Sequence, residues 1–217
     1  GFRISAAGWM DDAYNDAKAT RNPAIPPAAS VGSYVGDQYT SFTRRYYAGP
    51  SAEFLDAFAF GSFDVGATRL SVKAGRHTVF WGESLLLGGA LHGIAAGQAP
   101  LDLQKGFATP GAEAKELFRP LTQLSAQLQV TNNLSLAAQY YFDWEPSRYP
   151  EGGTFLGPGD FAFTGPQRVL TSVGLLGNSG INEPSKRGDI GLSARWSPDW
   201  LDGTLGFYYR NYTDKLL

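Results

Sequence analysis

Cysteine is absent from the 217 residues. That removes disulfides, thiolate nucleophiles and every cysteine-based metal site. Charge is scarce: Asp, Glu, Lys and Arg make up 18% of the chain, against roughly 25% in an average globular domain. The formal net charge is −2, so the broad basic footprint that nucleic acid requires is missing and no nucleic-acid partner is expected. Long apolar runs are lacking too. The best stretch, Ser84 to Ala96, is broken by Gly88, Gly89, His92 and Gly93, short of the roughly 20 apolar residues of a membrane helix. A chain like this crosses a bilayer only as a closed barrel, because unpaired backbone groups in lipid cost several kcal/mol each.

Glycine and aromatics are plentiful. There are 27 Gly, and Phe, Tyr and Trp account for 14% of residues, within a bulk composition (43% hydrophobic, mean hydropathy −0.22) that passes for a soluble protein. Half-apolar strands joined by turns have this composition; helical bundles do not.

The pattern along the chain agrees. Leu124, Ala126, Leu128 and Val130 alternate with Gln123, Ser125, Gln127 and Gln129; Thr131-Asn132-Asn133 is a turn signal; Leu134, Leu136, Ala138, Tyr140 and Phe142 then alternate with Ser135, Ala137, Gln139, Tyr141 and Asp143. Period-two alternation around a short Asn-rich link predicts a β-hairpin with one apolar and one amide-rich face. A second hairpin is predicted over 188–212, with Ile190, Leu192, Ala194, Trp196, Leu205, Phe207 and Tyr209 on the apolar side and Arg195 and Arg210 on the other. A third is predicted over 52–77, turning at Asp64-Val65-Gly66, with Arg69 and Lys73 inward. The aromatics Phe54, Phe58, Phe60, Tyr140, Phe142, nearby Trp144, Phe207 and Tyr209 are expected to face lipid. Residues 11–50 and 145–187 read as a strand end with long loops. Residues 78–120 break the β rhythm, and Pro110 to Arg119 predicts a short helix with acidic residues early.

One series is distinctive: Gly75-Arg76-His77-Thr78-Val79-Phe80-Trp81-Gly82-Glu83-Ser84, then Ala99-Pro100-Leu101-Asp102, then Pro110-Gly111-Ala112-Glu113-Ala114-Lys115-Glu116, then the hairpin ending Asp143-Trp144-Glu145. Over roughly 69–165 the chain resembles a poorly characterised family (a domain of unknown function) of large Gram-negative outer-membrane proteins, whose genes often accompany exporters of the resistance-nodulation-division type. Where that family's pattern has Asn before the proline, this chain has Ala99. The resemblance implies an incomplete barrel, since the family's members are longer and barrel proteins usually end in Phe or Trp.

The fold expected is therefore all-β: an antiparallel transmembrane β-barrel, part of a larger one, forming a single domain over 1–217. It carries long loops, and 78–120 is a non-strand insertion that either plugs the lumen or lies in a loop as a helix. Ser84 with His77 or His92 and Asp102 lacks a nucleophile-elbow motif, and a triad is defined by geometry rather than by presence. His77 and His92, fifteen positions apart, match no ligand spacing. No catalysis, cofactor or metal is expected. Lumen and selectivity roles are expected for Arg69, Lys73, Arg76, Trp81, Glu83, Asp102, Glu113, Lys115, Arg195 and Arg210, with Glu116 and Arg119 beside them. Trp81 is either a girdle anchor or a lumen wall residue. The expected function is passage or export of solutes across the outer membrane of a Gram-negative bacterium, with outer-membrane lipid around it and an exporter or periplasmic protein as partner. The resemblance tilts the solute towards apolar or lipid-like molecules. The alternatives are a plugged structural or surface-binding barrel, and a soluble β-sandwich binding glycans.

Overall fold

The computed structural model describes residues 1–14, 16–19, 32–82, 94–95, 97–109, 111–112, 114–155, 157, 165–180 and 182–215. Among these residues nine strands form: β1 (Phe2–Trp9), β2 (Ser51–Val65), β3 (Thr68–His77), β4 (Leu121–Thr131), β5 (Leu134–Tyr141), β6 (Arg168–Thr171), β7 (Gly174–Gly177), β8 (Ile190–Trp196) and β9 (Leu205–Asn211). Seven of them make one sheet in the order β1-β2-β3-β4-β5-β8-β9, every neighbour antiparallel, with β1 and β9 at its edges. The β6–β7 hairpin stands apart as a two-stranded sheet, inside the stretch whose glycines and prolines predict only loop.

The alternation read from the sequence sets the register. On one face, Gly61, Val72, Ala126, Ala138, Leu192 and Tyr209 line up across the strands, as do Phe63, Leu70, Leu128, Leu136, Ala194 and Phe207. On the other, Phe60, Lys73, Ser125, Gln139, Gly191 and Arg210 form a row, and nearer the tight turns so do Asp64, Arg69, Gln129, Ser135, Arg195 and Gly206. Burial runs opposite to that of a water-soluble sheet. Leu124 and Leu136 are each 41% exposed, whereas Gln123 is 1% and Gln139 3% exposed. Large apolar residues normally go inside and amides outside.

The connections segregate. The β2–β3, β4–β5 and β8–β9 links are short and leave the strands at one end of the sheet, while the connections over 10–50, 78–120 and 142–189 are long and leave them at the other. Among the described residues, helical structure is confined to the long connections: short turns at Asp12–Tyr14 and Val35–Asp37, α1 (Ser41–Thr43) running into a wide turn at Arg44–Ala48, α2 (Leu103–Ala108) and α3 (Ala114–Leu117).

Several expectations are corrected. The β2–β3 turn is at Gly66-Ala67, since β2 continues through Asp64 and Val65. Phe58 and Phe60 lie on the polar face, not the apolar one: Leu55 and Asp56 together oppose Ser5, a bulge that reverses the facing of β2 between Phe54 and Phe58. Phe54, before the bulge, is 66% exposed on the apolar side. Trp144 is 4% exposed; it follows the end of β5, so alternation no longer sets its direction, and its indole donates to the Asp214 carbonyl at 3.0 Å. Among the described residues of the predicted 110–119 helix, Ala114–Leu117 is helical, and Phe118 bridges to Leu101 instead.

Candidate functional site

At the end of the sheet with the long connections, the polar face is roofed by a strap drawn from three of their segments. Leu101 bridges antiparallel to Phe118, and Asp102 bridges parallel to Arg148. Four backbone hydrogen bonds tie these pieces: Asp102 N to Leu117 O at 2.7 Å, Arg119 N to Pro100 O at 2.9 Å, Arg148 N to Leu101 O at 2.7 Å and Leu103 N to Arg148 O at 2.9 Å. Asp102 also caps α2, accepting from Lys105 N at 3.0 Å. That Asp immediately before Leu-Gln-Lys is an N-cap signal, and it makes α2 legible in retrospect.

The strap is fixed to the wall through polar residues of the strands. Gln98 forms reciprocal bonds with the Trp81 backbone, at 2.9 Å from Trp81 N and 2.8 Å to Trp81 O. The Tyr141 hydroxyl donates to Gln98 O at 2.8 Å, and Gln123 Nε2 donates to His77 O at 2.7 Å. His77, 1% exposed, places Nε2 at 2.8 Å from Ser125 Oγ and Nδ1 at 3.0 Å from Gly75 O. Trp81 packs over Gly191: a Cβ there would come within 2.8 Å of the indole and of Gln139 Nε2. Trp81 thus lies against the polar face. Gly75 has φ +123°, and a Cβ on it would strike the Ala57 carbonyl, so strands β2 and β3 close only with glycine there.

Six charges join strap to wall. Arg148 donates through Nη2 to Glu53 Oε2 at 2.5 Å and through Nη1 to Asp102 Oδ2 at 3.0 Å, with its guanidinium 4.1 Å from the Tyr46 ring centre. Arg119 pairs with one oxygen of Glu145, and Arg76 Nη1 donates to the other at 2.8 Å. Three carboxylates meet three guanidiniums, so the cluster is neutral. Arg148 and Arg119 are among the buried residues, and a lone charge there would be costly. Burial pushes the Glu145 carboxyl up, but Arg119 and Arg76 outweigh it and hold it below its usual range. Burial, joined by the like charge of Arg148, pulls Arg119 down against the neighbouring carboxylates.

Beyond the strap, Glu151 is 1% exposed. It accepts from the Thr40 hydroxyl at 2.5 Å and from the Thr43 hydroxyl. Burial outweighs these donors and raises its carboxyl above the usual value. Burial also lifts the nearby Tyr47 phenol to about 12, against the Thr154 hydroxyl that bonds it at 3.1 Å. Lys215 seals the β8–β9 side through Asp189 at 2.9 Å.

Between strap and wall lies a cavity of about 890 Å³. Five basic side chains (Arg3, Lys73, Lys105, Arg119 and Arg148) and five acidic ones (Asp11, Glu53, Asp56, Asp102 and Glu116) balance its charge, and Trp9, Tyr46, Phe58 and Phe118 give its aromatic surface. Arg3 pairs with Asp56 at 3.1 Å.

Of the charged residues singled out from the sequence, Lys73, Asp102, Glu116 and Arg119 meet at this cavity, and Arg76 joins the charge cluster next to it. Arg210 sits to the side, its guanidinium 4.6 Å from the Tyr212 ring and 5.9 Å from the Tyr141 ring. Arg69 and Arg195 share one row of the polar face nearer the tight turns and are exposed. Glu83 and Glu113, like Ser84 and His92, lie outside the described residues, as does the side chain of Lys115. Sequence reasoning passed over Glu53, Arg148 and Glu151, which sit in an aromatic-rich run and in an apparent loop. Their signal is local: charges set among aromatics and prolines, as in Trp144-Glu145-Pro146-Ser147-Arg148-Tyr149-Pro150, mark ordered rather than solvated chain.

No curated protein and no solved structure matches the chain. One family model does, over residues 1–216, and its description reads "Protein of unknown function (DUF1302)". Nearly the whole chain is covered, strands and strap alike, and the protein therefore belongs to the DUF1302 family.

Proposed function

We propose that this chain forms part of the wall of an outer-membrane β-barrel in a Gram-negative bacterium and passes solutes across that membrane, with the strap as an internal constriction. The observation that carries this reading is the inverted sheet: Leu124, Leu136, Phe142, Leu192 and Phe207 are exposed on one side, while Gln123, Ser125, Gln139 and Ser193 are buried on the other. In lipid the first face is solvated by acyl chains and the second lines a wet interior. From Leu134 to Phe142, eight steps of about 3.3 Å give roughly 26 Å along the strand. With a tilt of about 40° that is the order of the apolar band of such barrels. Aromatics flank it: Tyr140 and Phe142 at one end, Trp196 and Trp200 at the other, each pair in edge contact. Short turns at one end and long connections at the other match the periplasmic and outer sides of such proteins. An open edge in lipid is not tolerated, so β1 and β9 require further strands as neighbours. A soluble sandwich would need a second sheet over Leu124 and Leu136, and the described residues place none there.

The strap's seat on the polar face favours one second reading, a plugged barrel that binds partners through its long connections without transport. Single-channel recording of the purified full-length protein in planar bilayers separates the two. Conductance steps that shift when Arg69 and Arg195 are changed to Gln support a pore. A protein that inserts yet gives neither conductance nor solute uptake into liposomes leaves the plugged barrel. Extraction from cells without detergent overturns both.

A further inference from the structure

We infer that the strap is a displaceable gate, held on the wall by ion pairs but seated over polar side chains that the closed state leaves without partners. The inference rests on the reading of this face as a wet interior, and adds that the constriction opens. The strap is built to move as a unit. Its pieces share backbone hydrogen bonds, Asp102 to Leu117, Arg119 to Pro100 and Arg148 to Leu101. Its contacts to the strands run through side chains: Arg148 to Glu53, Glu145 to Arg76, and Gln98 O accepting from the Tyr141 hydroxyl.

Buried polar atoms with no hydrogen-bond partner gather along this seam. They are Gln104 Oε1 and Arg119 Nε on the strap, and Arg76 Nε, Gln123 Oε1 and both amide atoms of Gln139 on the wall. Such atoms are seldom left unpaired, because each carries the full desolvation cost. Gln139 is the clearest case. It is 3% exposed, and a Cβ on Gly191 would come within 2.8 Å of both Gln139 Nε2 and the Trp81 indole. Amide and indole therefore lie side by side over that glycine, and Trp81 is held there by Gln98. Gln123 differs, since its Nε2 donates to His77 O at 2.7 Å. Lifting the strap returns these atoms to lumen water, which supplies the missing bonds. The ion pairs draw the strap down and the unpaired atoms favour its release. Opposed contributions of this kind make an element with two discrete positions.

The test uses the full-length protein in lipid nanodiscs and hydrogen exchange over 97–104 and 144–154, which reads local opening. Gln139→Leu removes both unpaired amide atoms and gives up no side-chain hydrogen bond. It should slow exchange in those segments about tenfold or more, where tenfold corresponds to about 1.4 kcal/mol, and lengthen the closed times in bilayer recordings. Gln139→Met, nearer in shape, should do the same, and carries the test if the leucine variant misfolds; circular dichroism checks the sheet in each. Gln123→Leu gives up the bond to His77 and should not slow exchange. Unchanged or faster exchange in the folded Gln139 variants means that the amide is satisfied in its seat, and overturns the gate. The outcomes stay separate from those of the channel reading: slower exchange in variants of a protein that passes no current keeps the gate and sinks the pore, and conductance with unchanged exchange does the reverse.

Discussion

Gln123 and Gln139 are 1% and 3% exposed, whereas Gln127 and Gln129, on the same face and strand system, are exposed. The first pair lies at the end of the sheet with the long connections, the second towards the tight turns. The side chains are chemically alike and the strand geometry is continuous. What differs is the strap, which at one end brings Gln98, Trp81 and the Arg148 and Arg119 clusters down onto the wall. The strands supply a polar lining along their whole length; the long connections decide where it is filled and where it stays open.

The largest change to this contrast should come from Arg148→Ala. It strands Glu53 and Asp102, whose side chains are 16% and 14% exposed, without their cation. Removing one partner of such a buried pair costs about 3–5 kcal/mol. Hydrogen exchange over 97–104 and 144–154 should rise to the level of the open end, and bilayer conductance should rise with it. Unchanged protection in the variant means that the six-charge cluster does not hold the strap.

Next in size is a pair of substitutions that asks whether the two faces meet different media. Leu136→Arg, on the apolar face, should cost about 2–4 kcal/mol in a bilayer, read by urea unfolding in lipid vesicles. Gln127→Arg, from the adjoining strand but on the polar side, should cost little. Equal costs for the two variants would remove the membrane assignment.

The smallest effect belongs to the covered end. Burial raises the Glu151 carboxyl above its ordinary 4.5, so the folded state binds its proton more tightly than the unfolded chain does. The stability this group contributes is full below pH 4.5 and is lost as pH rises through the higher folded value. Glu151→Gln keeps an acceptor for Thr40 and a donor for Thr43 and removes the titration. It should flatten this part of the stability profile and raise stability at pH 7–8, read by urea unfolding across that pH range. A variant whose profile keeps the same slope means that Glu151 is not the group responsible.

The sequence by itself determined the three hairpins β2–β3, β4–β5 and β8–β9 and which face of most of their strands is apolar. Leu124 to Phe142 carries two signals that agree, period two and a turn at its centre, and side-chain alternation is a local property of extended backbone. The α2 helix and the β6–β7 hairpin were less legible, because Gly106 weakens the first and the second is only four residues per strand. Where local rhythm breaks, local reading fails: one bulge at Leu55 and Asp56 turned Phe58 and Phe60 to the polar side. Only the tertiary structure decided the site. Glu53, Asp102, Arg119, Glu145 and Arg148 come from a strand and two long connections up to 95 positions apart. Charges that meet at such separation obey Coulomb and desolvation terms set by the folded geometry, and no period in the chain encodes them.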